Sequence, residues 1–99
     1  MVIHNMRPKS AKKLGIDYER LKAVRSDLVY CYAPGFGQNG SSAEEPAYDD
    51  TIQALSGLAF LNANANGEPR FLPTIIADKV GGLHLALSAV AGLVKRLQT

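Results

Sequence analysis

The hydrophobic positions of this chain fall into short runs on the N-terminal side and helical repeats toward the C-terminus. Val2 and Ile3 make an apolar start that reads as the end of a strand, because Pro8 forbids further ladder donation. Ser10 can cap a short helical turn from Ala11 to Leu14, and Gly15 is the residue most tolerant of a left-handed C-terminal cap. Asp17 restarts the helix. Tyr18, Leu21 and Val24 recur at a spacing of three among Glu19, Arg20, Lys22 and Arg25, which predicts one buried stripe and one wet face. Leu28 to Tyr32 is a continuous bulky run bounded by Asp27 and Pro34, as expected of a strand buried on both faces. Strand, helix and strand in that order form a parallel crossover unit.

Pro34 to Pro46 carries three glycines, two serines, an asparagine and two acids, so it is a loop. Functional loops cluster at the carboxyl ends of parallel strands, which makes it the first place to look for chemistry. Ile52, Leu55, Ala59 and Phe60 mark one face of a helix starting near Asp49 or Asp50, whose carboxylates suit its positive end. Asn62 to Pro69 is a polar connecting turn. After an extended piece around Phe71, a long helix starts near Asp78. Leu83, Leu87, Val90, Val94 and Leu97 follow its 3.6-residue period, and His84, Ser88, Lys95 and Gln98 mark a more polar side. Gly81 and Gly82 weaken its first turns and suggest a close backbone approach. The predicted fold is α/β: a partial Rossmann-like strand-helix-strand unit followed by two further helices, the last one long.

Composition narrows the class. With 99 residues there is room for one small domain, and a hydrophobic content of 46% with 20% charged residues argues against disorder. The net charge of +2 is spread out, apart from Lys9, Lys12 and Lys13, so no nucleic-acid partner is expected. Cys31 is the one cysteine, which excludes an internal disulfide and a multi-thiolate zinc site, and no metal is expected. His4, Arg7, Lys9, Lys12, Lys13 and Asp17 leave no apolar core for a secretory signal, and a cytoplasmic location is expected. The uncharged stretch Val80 to Val94 contains His84 and is shorter than the roughly 18 apolar residues that span a bilayer, so no membrane partner is expected.

Three constellations invite chemistry. Gly35 to Gly40, GFGQNG, matches a dinucleotide fingerprint, but a fingerprint helix opens at its glycines, whereas Pro46 stops this one and two acids would repel a pyrophosphate. Cys31 with His4 or His84 as base would make a nucleophile, yet a thiol inside an apolar strand packs as a small hydrophobe. Asp78 combines a carboxylate, a predicted helix start and two nearby glycines. Taken alone it reads as a helix cap; the functional alternative is an ionised carboxylate able to attack an acyl carbon.

Taken in order, these pieces resemble the class III coenzyme A transferases, a family that includes formyl-CoA transferase, the carnitine and bile-acid CoA transferases and, as a divergent branch, alpha-methylacyl-CoA racemase. The resemblance covers about Val2 to Thr99. Asn5-Met6-Arg7-Pro8 is similar to the family's Asn-Phe-Arg-Pro, and Leu14-Gly15 with Asp17-Tyr18 and Leu21 to its Leu-Gly and Asp-Tyr-Glu-x-Leu pattern. Leu28 to Tyr32 resembles its Leu-Ile-Tyr-Cys strand. Gly35-Phe36-Gly37-Gln38 with Gly40 resembles its Gly-Phe-Gly-Gln-x-Gly loop, and Tyr48-Asp49, Gln53-Ala54 and Ser56-Gly57 its Tyr-Asp-x-x-x-Gln-Ala-x-Ser-Gly helix.

The resemblance implies that Asp78, in Ala77-Asp78 before Gly82-Leu83, is the catalytic carboxylate. It would attack an acyl-CoA thioester to give a mixed anhydride and then an aspartyl-CoA thioester, with an acceptor carboxylic acid activated in a second pass. Coenzyme A enters as substrate and no cofactor is implied. Asn5 and Met6 correspond to residues beside the CoA moiety, Lys13 to a basic residue that can meet a CoA phosphate, and Gly35, Phe36 and Gly37 to a loop near the acyl group. The bland alternatives are a solvated basic turn for Lys13 and a turn with Phe36 packed on the sheet. Met6 stands for the usual Phe, and Pro34 for a lysine of some members. The family's racemases place a histidine where this chain has Tyr48, and a tyrosine with an ordinary pKa near 10 is a poor second base, which favours transfer.

Family members are longer, with interlinked homodimers, a small domain and a glycine-rich loop. The expectation is therefore one partial domain over residues 1–99, the central piece of a large N-terminal domain, inactive by itself and prone to self-association through exposed edges. A noncatalytic CoA-binding or interaction module is the alternative from another class.

Overall fold

A computed structural model describes every residue from Met1 to Thr99. Strands β1 (Val2–His4) and β2 (Tyr30–Tyr32) pair in parallel, with Val2 opposite Tyr30, Ile3 opposite Cys31 and His4 opposite Tyr32. Backbone bonds from Val2 N–H to Val29 and from Ala33 N–H to His4 extend the ladder at both ends. The regular part of the second strand is shorter than the apolar run that predicted it, since Leu28 and Val29 precede it.

Two helices, α1 (Pro8–Leu14) and α2 (Tyr18–Val24), make the crossover. Helix α1 starts earlier than the Ser10 cap suggested. Pro8 sits at its first position, where a missing N–H costs nothing, so this proline opens a helix as well as closing a strand. Gly15 ends it at φ 72°, in the left-handed region, and its N–H bonds back to Ala11 and Lys12. Asp17 caps α2 as expected, its carboxylate accepting the Arg20 N–H at 3.3 Å. Of the expected α2 stripe only Leu21 is half-buried, while Val24 is exposed.

The helix expected from about Asp49 to Phe60 is two helices, α3 (Asp49–Leu55) and α4 (Leu58–Leu61). Gly57 separates them at φ 85°, so Ala59 and Phe60 leave the face of Ile52. The Asn62–Pro69 turn closes on itself: the Asn64 side chain accepts the N–H groups of Asn66 and Glu68. No strand forms around Phe71. Three helices therefore follow β2, and the last is long, α5 (Ile76–Gln98).

Helix α5 packs on β2 and α3, but through a different face from the one its leucines predicted. Leu85, Ala89, Gly92 and Leu93 turn inward, whereas Leu83, Leu87, Val90, Val94 and Leu97 are exposed, Leu97 by 82%. Small residues decide the matter: a methyl group on Gly92 would lie 2.7 Å from Val29 Cγ1, so only glycine permits that distance between helix and strand. Gly81 and Gly82, suspected of the same role, have nothing within 4 Å of where a Cβ would be. By length and composition α5 could cross a bilayer, which the count of uncharged residues alone had argued against.

Six residues are buried: Ala11, Cys31, Ala59, Ala89, Asp49 and Gln53. The accessible surface of 7339 Å² exceeds the roughly 5,500 Å² of a compact monomer of this mass. Likewise the radius of gyration, 16.7 Å, exceeds the ~13 Å of a compact chain this long. The apolar faces are formed, but the chain itself does not cover them.

Candidate functional site

Both strands run in the same direction, so their carboxyl ends open on one side, where Asn5 follows β1 and Ala33 follows β2. A cleft of about 420 Å³ lies there. Five separate stretches line it: Asn5, the Ala33–Gly35 turn, Ala47 with Tyr48, Ile52 of α3, and the first turns of α5 with Asp78, Gly81 and Gly82. The loop after β2 reaches it by folding back on itself. A Cβ at Gly35 would fall 2.1 Å from that of Ala47, so a glycine there brings Tyr48 beside the strand end.

A second hollow of about 340 Å³ shares Asn5, Pro34, Gly35, Ala47 and Tyr48 and continues past Met6, Arg7 and Ser10 to Tyr32. Together they form a trough from α5 to α1. The Tyr32 hydroxyl is enclosed and has no hydrogen-bond partner. Burial, and then the charge of Glu44 and the neighbouring Tyr30, push its pKa up, so it stays a neutral donor. Arg7 reaches the Glu44 carbonyl at 3.2 Å, and the Glu44 carboxylate accepts the Lys9 N–H at 3.0 Å. The loop acid thus caps α1, whose own N-cap residue has no capping side chain.

Asp78 is the third residue of α5, one turn past the N-cap Ile75, so it is not the cap that its local sequence suggested. Its side chain is exposed, and the chain's two ion pairs, Arg20–Asp17 and Arg25–Asp27, lie elsewhere. Its backbone N–H donates to Asp49 Oδ1 at 2.8 Å. Asp49 is buried, with its other oxygen bonded to Gln53 Nε2 at 2.7 Å. Gln53, fully buried, also donates to the Thr74 carbonyl and accepts the Leu72 N–H. Burial alone would raise the Asp49 pKa. The Gln53 amide, the N–H groups of Asp78 and Ala77 and the Lys79 charge outweigh it, leaving the carboxyl below its usual range.

Of the residues selected from the sequence, Asp78, Asn5, Gly35 and Tyr48 meet in the first cleft, and Met6 lines the adjoining one. Lys13, exposed at the end of α1, and Phe36 and Gly37 line neither. Sequence reasoning passed over Asp49 and Gln53 as functional residues. Their signal was an Asp–Gln pair one helical turn apart, directly after Tyr48.

The other titratable candidates are occupied. Cys31 alternates to the opposite sheet face from Tyr30 and Tyr32 and is buried, so no histidine stands beside it in the sheet register. His4 accepts the Met6 N–H through Nδ1, which leaves the proton on Nε2 for Tyr30, whose hydroxyl donates to the Ile16 carbonyl. His84 Nδ1 donates to the Val80 carbonyl on the outer side of α5. No three His, Cys, Asp or Glu side chains gather as a metal site would require.

A family model described as CoA-transferase family III matches residues 1–99. The chain is 30% identical over its whole length to a succinate–glutarate CoA-transferase of Agrobacterium fabrum, covering 25% of that protein. It is 34% identical, again over its whole length, to an acetyl-CoA:oxalate CoA-transferase of Acetobacter aceti, covering 26%. It therefore spans about a quarter of the length of these curated relatives. Among solved structures, a CAIB/BAIF family protein from Brucella suis superposes with a TM-score of 0.88 at 35% identity, over 98% of this chain and 26% of that one. An aspartate-to-alanine mutant of Rv3272 from Mycobacterium tuberculosis superposes at 0.84 with 26% identity, over 96% of this chain and 26% of that one.

Proposed function

The chain belongs to CoA-transferase family III, and from that membership we propose that Asp78 is the acyl-accepting carboxylate of an acyl-CoA:carboxylate CoA-transferase. The observation that carries this reading is the meeting of Asp78 with Asn5, Gly35 and Tyr48 at the carboxyl ends of the parallel strands. An Asp78 oxygen attacks the thioester carbon, the C–S bond breaks, and CoA thiolate leaves an acyl-aspartyl anhydride. The thiolate then attacks the Asp78 carbonyl carbon and expels the donor carboxylate, giving an aspartyl-CoA thioester. An acceptor carboxylate repeats the two steps in reverse, and Asp78 is regenerated.

Gly81 and Gly82 leave the surface beside Asp78 bare, so an acyl group can approach the helix closely. Asn5 and Met6 lie beside the CoA moiety, and the neutral Tyr32 hydroxyl with Arg7 offers donors along the same hollow. Racemisation needs a second base for the α-proton, and the histidine that the family's racemases use for it is replaced here by Tyr48, which favours transfer.

By itself the chain is proposed to have negligible turnover. An anhydride survives only where water is kept out, and here both the cleft and Asp78 are open to solvent. The test is incubation with an acyl-CoA and free acids, followed by product assay and a mass search for modified Asp78 peptide. An adduct on Asp78 that vanishes in Asp78→Asn supports the carboxylate role. CoA binding by titration with no adduct would establish a noncatalytic binding module instead, and turnover matching a full-length transferase would refute the inactivity. The uncovered apolar faces also support self-association, which a clean monomer by sedimentation at high concentration would refute.

A further inference from the structure

Helix α5 has no capping side chain of its own, because Ile75 occupies the N-cap position. A local cap accepts the N–H of the second or third helical residue. Here that acceptor comes from another helix, and the third residue is Asp78 itself. We propose that Asp49 is a positioning residue for Asp78: from the start of α3 its buried carboxylate holds the Asp78 N–H and so fixes the acyl-accepting residue in the cleft it shares with Tyr48. The proposal rests on the reading of Asp78 given above.

Three features support it. Both Asp49 oxygens are committed, one to Asp78 and one to Gln53, so the carboxylate cannot rotate without losing a bond. Gln53 also binds Leu72 and Thr74, so the segment leading into α5 and the first turn of α5 are held by the same face of α3. Tyr48, which lines the same cleft as Asp78, is the residue before Asp49. A shift of Asp49 therefore moves Tyr48 and Asp78 relative to each other. A negative charge also complements the positive end of the 23-residue α5.

The test uses the whole 99-residue chain and has two arms. The first reads the backbone amide at position 78 by NMR in the Asp78→Asn background, so that the residue's own carboxyl does not titrate. Its proton shift should follow the ionisation of Asp49, together with the Gln53 side-chain amide. Lys79 is the cation whose charge reaches Asp49, and Lys79→Gln should move the midpoint upward without removing the transition. Asp49→Asn, which keeps a neutral acceptor, should abolish the transition and retain exchange protection at position 78. Asp49→Ala should lose that protection at least tenfold while amides near Ala89 are unchanged.

The second arm measures the rate of acyl or CoA labelling at Asp78. It should fall at least tenfold in Asp49→Ala and recover in Asp49→Asn. Equal labelling in Asp49→Ala overturns the positioning role and leaves Asp78 as acceptor. An amide at position 78 that ignores the Asp49 ionisation overturns it even if Asp49→Ala does not fold. A titrating amide with no labelling of the wild-type chain supports the positioning geometry and counts against the acceptor reading alone.

Discussion

Three glycines in α5 separate packing from helix propensity. Replacing glycine by alanine inside a helix gains about 1 kcal/mol from the backbone. At Gly81 and Gly82 nothing lies within 4 Å of the added methyl, so that gain should appear undiminished. At Gly92 the methyl would lie 2.7 Å from Val29 Cγ1, against roughly 3.5–4.0 Å for an ordinary carbon contact. Val29 is β-branched and cannot swing away cheaply, and overpacking of this kind costs about 1–3 kcal/mol. Propensity cancels between Gly92→Ala and Gly82→Ala, so their difference isolates the contact: about 1–3 kcal/mol, with Gly92→Ala the less stable. For a chain of this size that is a difference of at least ~4 °C in Tm. Urea unfolding followed by far-UV circular dichroism measures it, and pairing Gly92→Ala with Val29→Ala should recover ~1 kcal/mol or more as coupling. Equal stabilisation by all three substitutions would refute the seating of α5 on β2. Gly82→Ala should also narrow the cleft beside Asp78 and lower CoA affinity, making the stabilised variant the poorer binder.

Gly35→Ala puts two methyl groups 2.1 Å apart, so it should destabilise the chain by about 1–3 kcal/mol and weaken CoA binding; Ala47→Gly should restore both in calorimetry, and an additive pair would show that the loop does not fold back as described. Glu44→Ala removes the acceptor at the Lys9 N–H and should cost ~1 kcal/mol in urea unfolding, with faster amide exchange confined to the start of α1; unchanged exchange there would rule out the cap. The lowered pKa of Asp49 means that the folded chain binds fewer protons at this site than the unfolded one. Its contribution is complete above the unfolded value, ~4, and is lost as pH falls through the folded value, so acid should loosen the start of α5 in the wild type. In Asp49→Asn the helix signal should be flatter over the same acid range, and identical acid profiles would contradict the assignment. Cys31 should react with iodoacetamide only on unfolding, and rapid labelling of the native chain would show that β2 is not covered.

Much of the architecture was legible locally. Gly15, Asp17 and the apolar run before Pro34 each act on their own neighbours, so helix ends and strand positions could be read from a few residues. The glycine-rich loop was likewise visible as a break in periodicity. Periodicity misled where apolar residues surround a helix. In α5 the leucine stripe is regular, yet Ala89 and Gly92 form the inward side because closeness to β2 favours small residues over large ones. The division at Gly57 was missed for a related reason, since an apolar pattern continues in sequence across a bend that redirects it in space.

What the sequence determined by itself is the order of the elements and the presence of a carboxylate at the start of a long helix. Both depend on interactions within a turn or two of chain. Only the tertiary structure decided which residues surround that carboxylate. Asn5, Gly35, Tyr48 and Asp78 are far apart along the chain and meet because β1 and β2 are parallel and end on the same side. It also decided how two helices without local caps begin. Glu44 and Asp49 supply the missing acceptors from a distance, and a hydrogen bond between residues remote in sequence leaves no periodic trace in the chain that makes it.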